Sequence, residues 1–145
     1  MKLDYLRKLL FAAIIITSII VFTILQGYWV LWDYRTAPSS GCLDCDMFPD
    51  LLLSSLLPLL ATGILHLTYY WLKPGLLCRT VFCVIMLILS WYAIDTAIFD
   101  EREASWSTYT HIWWIVLEMC ILQTMAFGLI FGGIYYALHL HKNYD

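Results

Sequence analysis

Three places in the chain carry side chains able to do chemistry: Glu118, His66 and the pair in Cys42-Leu43-Asp44-Cys45. Glu118 is a lone acid inside an apolar run. Such a residue marks either a proton or cation site or an interhelical hydrogen bond worth about 1 kcal/mol. His66 sits in a second apolar run. It reads as a neutral imidazole bonded to a hydroxyl or carbonyl, with a water-borne proton relay to Glu118 as the functional alternative. The Cys42/Cys45 spacing fits a redox pair, half a metal site, or a structural disulfide that closes a tight loop. Asp44 and Asp46 are neighbouring anions that oppose thiolate formation, so the structural disulfide is favoured over a catalytic pair. A single CxxC supplies only half a tetrahedral site, so no metal is expected. No cofactor motif is present, and none is expected to be needed.

The elements that position these residues follow from composition. The 145 residues are 62% hydrophobic and 13% charged, with mean hydropathy +0.77, which excludes an ordinary soluble domain. The charges fall between four long apolar runs, at about 9–32, 51–72, 76–98 and 112–138. Each is long enough to cross a bilayer core of about 30 Å at about 1.5 Å per residue. The fold class expected is an all-α integral membrane protein, one four-helix domain over 1–145, packed as an antiparallel bundle. The first run is too long for a cleaved leader and reads as a retained signal anchor. No basic stripe suggests nucleic acid.

Lys and Arg set the orientation. Lys2, Arg7, Lys8, Lys73, Arg79 and Lys142 cluster at the termini and at the Pro74-Gly75 turn. Asp33, Asp44, Asp46 and Asp50 crowd the first loop, and Asp100, Glu101 and Glu103 the last, against only Arg35 and Arg102. Both termini are therefore expected in the cytoplasm of an inner-membrane protein, with two acidic loops outside. Aromatic groups at Tyr28, Trp29, Trp32 and Tyr34, and at Trp106, Tyr109, Trp113 and Trp114, suit the interface.

Helical spacing assigns faces. Thr23, Gln26 and Gly27 share one side of the first span. Ser55, Thr62, His66, Tyr69 and Lys73 form a polar stripe on the second, which Pro58 should kink. Thr80, Cys83, Leu87, Ser90 and Ile94 share a face of the third. Asp95 is read as a solvated end charge, and His139 and His141 as part of a solvated tail. Gly128 and Gly132 form a GxxxG motif that Thr124 extends by one turn, a surface for close helix packing. Glu118 lies roughly 10 Å below His111 and within about 80° of those glycines. Depth counting then groups Glu118 with Gln26 and Ser90 in a polar cluster, and places His66 level with Cys83.

Four spans, cytoplasmic termini and Cys42/Cys45 in the first outer loop resemble the disulfide-generating, quinone-linked oxidoreductases of the DsbB family. That family carries a second cysteine pair in its last outer loop, and residues 99–111 here contain no cysteine. In size the chain also resembles small multidrug transporters, which place their glutamate in the first helix, and small immunity proteins against pore-forming toxins. The leading expectation is a non-enzymatic membrane protein of accessory, regulatory or toxin-immunity type. It would pack the GxxxG side of its last span, or the polar side of its second, on a membrane-protein partner or a further copy of itself. The alternatives are a thiol–disulfide oxidoreductase using Cys42 and Cys45, and a proton-coupled carrier component using Glu118.

Overall fold

In hydrocarbon no water satisfies the backbone, so apolar runs of this length have the helix as their solution. The computed structural model describes residues 2–39, 46–104 and 108–144. Within them lie α1 (Lys2–Val30), α2 (Phe48–Ser54), α3 (Leu56–Leu72), α4 (Leu76–Arg102) and α5 (Ile112–Tyr144). A short 3-10 turn, Trp32–Tyr34, follows α1. Four stretches are long and apolar enough to span a membrane: Tyr5–Val30, Phe48–Leu72, Leu76–Arg102 and Ile112–Leu140. They pack as a helical bundle, and lipid contact follows from their apolar outer surface.

The second span is two helices because of Pro58. Proline has no N–H for the Ser54 carbonyl, and its ring crowds that oxygen. The helix breaks at Ser55, whose hydroxyl donates to Leu52 O at 2.6 Å. Helix α1 starts before its apolar run, and α4 and α5 continue past theirs. The flanking polar turns remain helical because water and side chains satisfy their backbone outside hydrocarbon. In the α3–α4 turn, Lys73 rather than Gly75 takes the left-handed conformation, at φ 45°. Its N–H closes α3 on Tyr69 O at 2.9 Å. At the other end, α5 starts directly after His111, whose carbonyl accepts from Trp114 N–H at 2.9 Å.

The core is built on α4. Thr80, Cys83, Leu87, Ser90 and Ile94 are all buried, as their shared face implied, and Leu87 and Trp91 are wholly enclosed. Helices α1 and α5 run in opposite directions: Phe11 meets His139 at 4.8 Å between ring centres, and Trp29 meets Phe127 at 6.0 Å.

Gly128 and Gly132 face α4. A Cβ on Gly132 would stand 2.7 Å from Val84 Cγ2, and one on Gly128 would stand 3.0 Å from Ile88. The motif is therefore filled from within the bundle, with Thr124 buried beside it and donating to Cys120 O at 2.8 Å. Gly132→Ile should lower stability by about 1–3 kcal/mol through overpacking. Gly133→Ala is the control, since a Cβ there meets nothing within 4 Å. Thermal unfolding in detergent should separate the two, with Gly133→Ala at or slightly above wild type.

Candidate functional site

The acidic-loop half of the bundle holds a buried polar layer. Thr23 and Gln26 turn inward from α1 because they share a face with Gly27, which packs directly on Leu51. Trp91 and Asp95 come from α4, one turn apart. Trp91 Nε1 donates to Thr23 Oγ1 at 2.9 Å, and Gln26 Nε2 donates to Asp95 Oδ2 at 2.5 Å. Gln26 and Asp95 are both 0% exposed. Each keeps one oxygen, Gln26 Oε1 and Asp95 Oδ1, with no hydrogen-bond partner among the described residues.

Asp95 is thus a buried partner of Gln26, not the solvated end charge its nearness to the span's end implied. The signal was present. Trp91, Asp95, Ile98 and Arg102 recur at helical spacing, and all four are buried. The same repeat carries α4 on to Arg102, which the sequence had placed in a loop. Arg102 Nη2 meets Asp50 Oδ2 at 2.6 Å, with side chains 1% and 39% exposed. Its Nη1 donates to Ala37 O at 2.8 Å and Arg35 O at 3.2 Å. One buried guanidinium therefore ties the end of α4 to the start of α2 and to the chain leaving α1. Nearby, the Tyr28 hydroxyl donates to Asp46 Oδ1 at 2.7 Å, and that bond holds the Asp46 carboxyl below its usual range.

Glu118 does not join this layer. It is exposed on the outer surface of α5. Val116 and Cys120 are buried, and at about 100° per residue Glu118 points about 160° away from each. The 80° offset from the glycines misled because the buried arc is centred on Cys120 and Thr124. The cluster expected from Glu118, Gln26 and Ser90 is accordingly replaced by Gln26 with Asp95. Ser90 Oγ instead donates to Met86 O of its own helix at 2.7 Å. Around Glu118 the face is bare: Trp114, Leu122, Met125 and Leu129 are exposed above and below it.

At the opposite end, His66 lines a cavity of about 610 Å³ together with Cys83, Arg79, Tyr135 and His139. Its ring stands edge-on to Tyr135, 6.3 Å between centres. Ser55, Thr62 and Tyr69 of the same stripe are buried against protein. His139 is part of this wall rather than of a solvated tail. Its Nδ1 lies 3.0 Å from Tyr135 O, and its ring packs on Phe11. Cys42 and Cys45 lie outside the described residues, and with them the expected disulfide. The described cysteines, Cys78, Cys83 and Cys120, are free thiols.

No protein family, curated protein or solved structure matches the chain.

Proposed function

We propose that the protein acts without catalysis, as a small inner-membrane subunit that packs the outer face of α5 against a helix of another membrane protein. Its role is accessory, regulatory or of the toxin-immunity kind. The distribution of Lys and Arg supports termini in the cytoplasm and acidic loops outside. The observation that carries the reading is the exposure of Glu118. It stands about 9 Å along the helix from Ile112, within the span Ile112–Leu140. Acids at such depth belong against protein or water, because lipid offers them no partner. A helix with a hydrogen-bond donor or a cation at the same level satisfies it. A second copy fits less well, since a symmetric pair through this face sets Glu118 against Glu118. Each carboxyl then meets a second carboxyl instead of the separate donor or cation that the partner helix of this reading supplies.

The Gly128/Gly132 surface does not serve as this contact, because α4 occupies it. Glu118→Leu should therefore reduce recovery of the partner several-fold in a mild-detergent pull-down, with the bundle's melting temperature unchanged. Glu118→Gln keeps a hydrogen-bonding side chain and should retain most of the partner. Full partner recovery with Glu118→Leu would sink the reading. Loss of activity with Glu118→Gln, partner still bound, would favour the proton-site alternative.

A further inference from the structure

The end of the bundle that carries Lys73 and Pro74 is hollow. The cavity of about 610 Å³ between α1, α3, α4 and α5 is within the size range of ligand sites, about 300–1,000 Å³. Towards the middle of the bundle its walls are apolar, with Ile15, Ile19 and Leu59. Towards the turn they are polar. A second hollow of about 580 Å³ shares His66 and Arg79 with the first and adds Lys73 and Tyr70. Among the described residues no acid lines either one. The two adjoining hollows are therefore greasy at one end and cationic at the other.

Two polar groups at the cationic end have capacity to spare. Arg79 donates through Nε to Pro74 O at 2.8 Å, and its terminal nitrogens have no hydrogen bond among the described residues. Tyr135 is 2% exposed, and its hydroxyl has no partner among the described residues. A buried donor left unpaired costs about 1–3 kcal/mol, which an acceptor brought by a ligand recovers. The cavity also reaches the outside of the bundle. Ile16, Gly63 and His66 line it and are exposed on the surface that faces lipid.

We propose that this cavity binds one anionic phospholipid taken sideways from the bilayer. Its phosphate sits between Arg79 and Lys73, a head-group oxygen accepts from Tyr135, and an acyl chain lies along Ile15, Ile19 and Leu59. Two cations, with no carboxylate among the described lining residues, select a net negative head over a zwitterionic one. The opening towards lipid selects a bilayer component over a solute. The site is separate from Glu118, so it stands or falls independently of the partner contact.

The test is native mass spectrometry of the full chain in mild detergent, titrated separately with phosphatidylglycerol, phosphatidylcholine and oleate. Phosphatidylglycerol adducts should persist about tenfold better than phosphatidylcholine adducts, a difference of about 1.4 kcal/mol. Arg79→Gln and Tyr135→Phe should each weaken them several-fold. Gly63→Leu should block the cavity while keeping the fold, because a Cβ at Gly63 meets nothing within 4 Å. Equal retention of the two phospholipids, tighter binding of oleate, or adducts that survive both Arg79→Gln and Gly63→Leu would overturn the proposal.

Discussion

Arg102→Ala should lower the unfolding free energy by about 3 kcal/mol, the largest loss expected from any single substitution here. The side chain is 1% exposed and meets Asp50 at 2.6 Å. Removing one partner of a buried pair costs far more than the pair's net worth, because the other is stranded. Asp50 is 39% exposed and can recover some hydration, which keeps the loss at the lower end of the range of about 3–5 kcal/mol. The carbonyls of Ala37 and Arg35 lose their donor as well. Asp50→Ala leaves those two contacts in place and should cost less. Hydrogen exchange gives a local readout: residues 35–39 and the start of α2 should lose protection in Arg102→Ala before the centre of α4 does.

Gln26→Leu should cost about 1–3 kcal/mol, and Asp95→Val should restore much of that loss when the two are combined. An interhelical hydrogen bond in a membrane is by itself worth about 0.6 kcal/mol on average. The larger cost comes from leaving Asp95, 0% exposed, without its donor. Removing both polar groups removes that penalty, and near-apolar replacement of a buried pair is often neutral. A double-mutant cycle followed by unfolding in detergent should give a coupling of about 2 kcal/mol. Additive losses would mean that the two side chains do not depend on each other.

The faces read from helical spacing hold wherever neighbours one turn apart agree. Thr80, Cys83, Leu87, Ser90 and Ile94 form an unbroken stripe, so α4 could be oriented without knowing its partners. Thr23, Gln26 and Gly27 were legible for the same reason. Glu118 was not, because its direction was measured from two glycines at the edge of the buried arc. Thr124, at the arc's centre and about 120° from Glu118, was the better reference, and it is buried. Asp95 and Arg102 were misplaced by a boundary. The apolar run stops near residue 98, whereas the helix continues to Arg102 because its last turns bury Asp95 against Gln26 and Arg102 against Asp50. Helical spacing with Trp91 and Ile98 carried the burial of both residues, but their partners, 69 and 52 residues away, leave no local trace in the chain. The cavity beside His66 was equally hidden. Its walls come from four helices, and only the depth match of His66 with Cys83 hinted that they meet.

The outer face of α5 is the surface on which the proposed function rests, and crosslinking in native membranes reads it most directly. A photoreactive residue at position 122 replaces a leucine that is 79% exposed one turn beyond Glu118. The same probe at Leu60, 65% exposed on α3, is the control. The expected result is one discrete adduct from position 122, with a mass other than that of two copies of this chain. It should be absent from position 60 and lost with Glu118→Leu. Labelling of lipid alone from position 122, or the same proteins from both positions, would contradict a partner on this face.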